Sequence, residues 1–180
     1  MHIWQAGQVG EAEKLEVQVM EARKEKLGSD HPDTLMSMAN LAATYGYQGR
    51  WNEAEKLEIQ VMDARKDKLG SDHPDTLLSL ANLAVTYGHQ GRWDEAEKLE
   101  VQVMKARKER LGSNHPDTLK SMANLAITYW KTDMLDEAEA LLNQSLRVME
   151  QSIGPQHPTA IECRRKLEML LKEREGHLRV

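Results

Sequence analysis

The chain has 180 residues with 29 acidic against 24 basic side chains, a formal net charge of -5 and a single cysteine. Lys and Arg are interleaved with Glu and Asp rather than gathered in blocks, so nothing resembles the electrostatic footprint of a nucleic-acid binder. With Cys163 alone no intrachain disulfide is available, which excludes a disulfide-stapled secreted scaffold, and no run approaches the roughly 20 apolar residues of a membrane span.

Met1 to Trp4 has neither the charged start nor the apolar core of a signal peptide. A cytoplasmic protein with no membrane or nucleic-acid partner is expected. Ten methionines and no phenylalanine suit gap-filling between helices better than a Met-rich ligand surface. His-Pro recurs at His31, His73, His115 and His157, a constant step of 42 residues, and Gly-Arg-Trp recurs at Gly49 and Gly91 with the same step. Such a period marks a solenoid or array in which each unit buries its apolar face against its neighbours.

In chain order, Met1 to Gln8 align with Ala43 to Arg50, so the chain is expected to open in the last turn of a helix whose earlier part lies upstream. Val9 to Leu27 then carries Val9, Ala12, Leu15, Val19, Ala22 and Leu27 at helical spacing, which predicts one apolar face. Gly28 suits a left-handed position after that helix, Ser29 or Asp30 is expected to cap the next one, and Pro32 fits its first turn. From His31 to about Gln48, Leu35, Met38, Leu41, Ala42 and Tyr45 form one face, while Met36, Ala39, Asn40, Ala43, Gly46 and Tyr47 form a second. A helix apolar on nearly every side is expected to be the covered, inner layer. Trp51 to Leu69 places Trp51, Ala54, Leu57, Val61 and Ala64 inward and its charges elsewhere, as an outer layer does. The Gly49-Arg50 link is short enough to force antiparallel packing. Helices are expected again near His73 to Gln90, Trp93 to Leu111, His115 to Lys131 and Leu135 to Ile153, with a charged last helix from His157 acting as a cap.

These expectations divide residues 1–180, as one repeat array, into a truncated first repeat at 1–30 (its second helix), repeats at 31–72, 73–114 and 115–156, and a C-terminal capping helix at 157–180. The N-terminal end has no polar cap, so the repeats either continue upstream, which is the favoured reading, or Trp4, Val9 and Leu15 meet another chain.

Leu41, Ala42, Tyr45, Gly49, Trp51, Ala54 and Val61 in a helix, turn, helix unit resemble the tetratricopeptide repeat, whose usual period is shorter. The 42-residue step, with His-Pro-Asp-Thr-Leu, Asn-Leu-Ala, Glu-Ala-Glu and Leu-Gly at fixed places, is similar to the kinesin light chain type. The near-identical copies of Ser-Met-Ala-Asn-Leu-Ala, Gln-Gly-Arg-Trp and Gln-Val-Met-x-Ala-Arg-Lys are most similar to the C-terminal arrays of fungal NOD-like receptors of the nucleotide-binding signalling ATPase group. The resemblance implies an all-α tetratricopeptide-repeat solenoid of antiparallel helix pairs, wound as a right-handed superhelix. Glu16, Glu58 and Glu100 depart from the family pattern, standing where the second helix commonly carries a bulky apolar residue; only Leu142 conforms. A carboxylate there is expected to avoid full burial unless paired.

The resemblance further implies a concave groove, lined by the second face of each first helix, that binds a protein or peptide partner. On this chain it consists of Met36, Asn40 and Tyr47, then Leu78, Asn82, Val85 and His89, then Lys120, Asn124, Ile127, Trp130 and Lys131. Asn40, Asn82 and Asn124 recur once per repeat and carry donors and an acceptor suited to a peptide backbone; bonding between adjacent first helices is the competing role. Kinesin light chains hold acidic, Trp-containing peptides with basic residues, whereas this groove is mainly apolar, with Lys120, Lys131, Arg165 and Lys166 only toward its end. A metal ladder of the four periodic histidines does not close, since helices pack about 8–10 Å apart and zinc needs its nitrogens at about 2 Å. No catalytic residues, metal site or cofactor are expected: Cys163 and His157 do not share a helix face, and Gly88 to Gly91 is no phosphate loop. A non-enzymatic binding module, the sensor region of a larger receptor, is therefore the leading expectation. A scaffold that self-associates as a homo-oligomer through its N-terminal face is the second.

Overall fold

A computed structural model describes the backbone of residues 3–177 and the side chains of residues 10–175. Among the described residues there are eight helices and no strand: α1 (Ile3–Leu27), α2 (Pro32–Tyr47), α3 (Trp51–Leu69), α4 (Pro74–His89), α5 (Trp93–Leu111), α6 (Pro116–Lys131), α7 (Leu135–Ser152) and α8 (Pro158–His177). The expected elements are present, with boundaries within a residue or two except at the start of α1.

Local chemistry sets those boundaries. His31, His73 and His115 are the N-caps of α2, α4 and α6, each accepting through Nδ1 the backbone N–H two residues on, at 3.2 Å. Ser29 and Asp30, expected as caps, are therefore not the capping residues of α2. Proline follows each histidine at the first helical position, where no N–H is needed. The reversal between α2 and α3 is a Schellman turn: Gly49 N–H donates to Gly46 O at 2.9 Å and Arg50 N–H to Tyr45 O at 2.9 Å, with Gly49 at φ 74. Asp133 takes the glycine's place between α6 and α7, at φ 64. At the far end of α3, Gly70 has φ 91 and ψ 163, outside the left-handed helical region and accessible essentially to glycine alone.

The chain divides into two compact units, Met1–Gln90 with α1 to α4 and Gly91–Val180 with α5 to α8. Within the first, α1, α2, α3 and α4 pack consecutively around Met20, Leu35, Met38, Leu41 and Val61. Within the second, α5 packs on α6, α6 on α7 and α7 on α8, around Leu119, Met122, Ala126, Leu142, Met149, Leu167 and Leu170.

Three expectations change. The segment aligned with the helix reversal at residues 43–50 does not turn back: residues 3–8 continue α1 as helix, as a short stretch with no antiparallel partner defaults to its local propensity. The apolar face of α1 is open: Leu15 is 62 % and Val19 46 % exposed, whereas Val61 and Val103, their counterparts of Val19 in the next copies, are 2 % exposed. The side chains of Trp4 and Val9, expected on that face, lie outside the described residues. Finally, α2 is not covered all round, since Met36 is 51 % and Tyr47 92 % exposed. Of the second-face set, Ala39 packs against the core and Gly46 turns to the interior, where a Cβ would lie 3.1 Å from Trp51 Cζ3.

Candidate partner-binding faces

Each first helix buries one face and leaves another open. In the first unit, Thr34, Leu35, Ser37, Met38, Leu41 and Ala42 of α2 are buried, as are Thr76, Leu77, Ser79, Leu80, Leu83, Ala84 and Thr86 of α4. The open faces that remain carry Met36, Asn40, Ala43 and Tyr47 on α2 and Leu78, Asn82 and Val85 on α4, all exposed. Asn40, Asn82 and Asn124 make no side-chain hydrogen bond among the described residues, so their amides are not spent on holding adjacent helices together.

His89 belongs elsewhere. Its ring, though exposed, stacks on Trp51 with centroids 3.9 Å apart and planes 4° from parallel, which ties the end of α4 to the start of α3. Trp51 is thereby held between His89 and Gly46.

In the second unit Lys120 and Lys131 of α6 are exposed, and Asn124 and Ile127 half-buried. Lys120, Asn124, Thr159 and Lys166 border a cavity of about 220 Å³ floored by Met149 and Cys163, with Glu162 paired to Lys166 at 3.0 Å. Trp130, expected in the groove, instead packs on the core, its Nε1 buried without a hydrogen-bond partner. The repeat explains the change: Trp130 stands where Gly46 and Gly88 stand, and Leu135 where Trp51 and Trp93 stand. The first helix gains an indole where the earlier copies have only a hydrogen, while the second helix gives up its indole for the smaller Leu135.

Two ladders connecting successive helix pairs were not apparent from the apolar pattern. Arg23, Arg65 and Arg107 each donate from Nη1 to the carbonyl of Asp33, Asp75 or Asp117 and to the hydroxyl of Ser37, Ser79 or Ser121, the latter at 2.7 to 2.8 Å. Burial holds the Arg107 guanidinium below its ordinary range, opposed by Asp117. At the next step Met149 and Cys163 occupy the Arg and Ser places, and the cavity beside them lies where the guanidinium is missing. Burial pushes the Cys163 thiol up, which leaves it a packed, unreactive group. In the second ladder Gln48 donates to Glu13 and Gln90 to Glu55, both at 2.8 Å, while Arg174 donates to Glu139 at 2.6 Å. The signal for both was the exact recurrence of polar residues every 42 positions, which a search for apolar faces passes over.

Of the three glutamates expected to avoid full burial, Glu16 and Glu58 are half-buried and Glu100 is buried. Glu100 is 7 % exposed, and burial raises its carboxyl to about 7, with the Thr128 hydroxyl opposing and Glu97 reinforcing the shift. Glu58 is raised in the same way, opposed by Thr86 and reinforced by Glu55. Among the described residues no group of three or more His, Cys, Asp or Glu could hold a metal ion. Among the described residues no helix is long and apolar enough to cross a membrane.

Tetratricopeptide-repeat models match residues 2–33, 34–75 and 82–151. Two crystal structures of a putative kinesin light chain from Podosopora anserina with nearly identical TPR-like repeats are similar, one of them a point variant. Their TM-scores are 0.82 and 0.81 at 32 % identity, over 97 % of this chain and 82 or 83 % of theirs. BtubC (BKLC) from P. vanneervenii shares the fold at TM-score 0.75 and 16 % identity, over 96 % of this chain and 74 % of its own. No curated protein matches. Tetratricopeptide-repeat models over most of the chain, with helix pairs capped and turned alike at a 42-residue step, place the chain in the tetratricopeptide-repeat family, with a solenoid fold like that of kinesin light chain repeats.

Proposed function

We propose that the chain is a non-enzymatic interaction module that binds a peptide or protein segment on the open faces of its first helices, as the sensor region of a larger receptor of the NOD-like kind. Tetratricopeptide repeats are in general protein-interaction modules, which supports the coarse reading. The observation that carries the site is the coincidence, on α2 and α4, of exposed Met36, Leu78 and Val85 with the uncommitted amides of Asn40 and Asn82. Apolar anchors beside paired donors and acceptors are what an extended segment needs to be held by side chain and backbone together. The face of α6, with Lys120, Asn124, Ile127 and Lys131, adds positive charge to the same kind of surface. In this reading residues 31–72, 73–114 and 115–156 are the repeats that present these faces.

The test is selection of peptides from a random library on the wild-type chain, followed by fluorescence anisotropy on a variant carrying Met36→Glu, Leu78→Glu and Val85→Glu. These positions are exposed, so the fold is expected to survive. Affinity should fall at least about tenfold, a loss of roughly 1.4 kcal/mol. Peptides that bind both proteins equally would remove the site. A second reading, self-association through α1, is favoured by the exposure of Leu15 and Val19.

A further inference from the structure

Glu58 on α3 and Glu100 on α5 hold the same place in successive copies, three residues before the buried Val61 and Val103. Each directs its carboxyl at a threonine hydroxyl of the following first helix, Thr86 on α4 and Thr128 on α6. The Oε2 atom of each, and of Glu16 in the equivalent place on α1, is buried with no hydrogen-bond partner. A carboxylate that stays ionised in such a position ordinarily holds a cation.

None does here. Around Glu100, its own helix contributes Glu97 and α6 contributes Thr128 and Tyr129, whose hydroxyl feels the charges of Glu97 and Glu100 and also that of Glu137 on α7. Around Glu58, its own helix contributes Glu55, α4 contributes Thr86, and α2 adds Tyr45 to the adjoining core. The Arg50 guanidinium lies 4.2 Å from the Tyr45 ring centroid, but its charge is committed to Glu13 at 2.8 Å and Glu53 at 2.9 Å. Burial and the neighbouring acid therefore favour the neutral form of both glutamates, against the pull of the threonine hydroxyl.

We propose that Glu58 and Glu100 are proton-binding latches, each closing the junction between a second helix and the following first helix when neutral and loosening it when ionised. The proton comes from and returns to solvent, and no other group is consumed. The recurrence supports this: the same acid, threonine and neighbouring acid appear in two successive copies, whereas Leu142, the counterpart on α7, is fully buried and has no charge to titrate.

The experiment is urea unfolding of the full chain at a series of pH values from about 5 to about 8, for wild type and for Glu58→Gln with Glu100→Gln. Glutamine has the shape of the neutral acid and cannot ionise. In wild type the unfolding equilibrium constant should rise at least about tenfold across the series, and in the double variant that rise should largely disappear. A wild type indifferent to pH, or a variant with an undiminished slope, would overturn the proposal. Carboxyl carbon NMR on wild type decides independently of the variant's folding: Glu100 should titrate well above the exposed glutamates, and an ordinary midpoint would sink the idea.

Discussion

An ionised Glu100 loses its hydration on folding and gains only a threonine hydroxyl in return, while Glu97 repels it from one turn away. Its folded-state pKa of about 7 lies above the ordinary 4.5, so folding retains a proton that the unfolded chain gives up. The sign follows: this contribution is fully present below the unfolded value and is lost as pH rises through the folded one. The difference amounts to about 3 kcal/mol between the two limits, and Glu58 adds to it in the same direction. Trp51 makes a contrasting case, because its contribution is one of shape. The ring is clamped between His89, at 3.9 Å, and the Cα of Gly46, where an added Cβ would come within 3.1 Å of it. Trp51→Ala should cost about 2–4 kcal/mol. Gly46→Ala should also destabilise, although alanine favours a helix interior by about 1 kcal/mol, because the stacked imidazole leaves the indole no room to retreat. Urea midpoints of the two variants check this, and a stabilised Gly46→Ala would show that the ring is free to move.

Between elements, the Arg23, Arg65 and Arg107 ladder ties each second helix to the first turns of the next first helix through a carbonyl and a serine hydroxyl. Because the acceptors are neutral, this connection should be insensitive to salt, unlike a surface ion pair. The chain itself contains the apolar solution to the same junction, Met149 with Cys163. Arg65→Met should cost about 1–2 kcal/mol, since the Ser79 oxygen loses its donor and the Asp75 carbonyl keeps only the Ser79 hydroxyl of its two side-chain donors, and adding Ser79→Cys should recover about half of that. Denaturant unfolding of the two variants measures the coupling, and strict additivity would argue against a shared junction. The same contrast explains what the sequence could and could not convey. Helix starts and stops were legible because His-Pro and Leu-Gly are local signals whose physics does not depend on distant residues. The buried faces of α2 and α4 were legible from spacing alone. The role of His89 was not, because stacking on Trp51 depends on two helices meeting at their ends, and the burial of Glu58 and Glu100 was not, because it depends on threonines some 28 residues away. Trp130 was placed in the groove, when the glycine position it fills and Leu135 opposite it let the ring pack half-buried against the core.

For the molecule as a whole, the open question of scaffold against binder turns on what can cover α1. In the later copies the counterpart of its exposed strip at Leu15 and Val19 is buried: Val61 is 2 % exposed beneath α2, which carries Met38, Ala42 and Gly46. In α8, a helix of the first kind, the matching positions are Arg164, Glu168 and Lys172. Arg164 is already bonded to Glu150 and to the Pro155 carbonyl, and placing Glu168 where Ala42 allows close approach would bury an unpaired carboxylate. The charge of -5 opposes association further at low salt. Stacking α8 of one copy on α1 of another would thus set charged side chains where the array sets Met38, Ala42 and Gly46. Light scattering coupled to size exclusion should give a mass near 20.5 kDa that does not rise with concentration. A mass that rises, and that returns to the monomer value in a Leu15→Glu, Val19→Glu variant, would instead make α1 the working surface of the protein and the scaffold reading the better one.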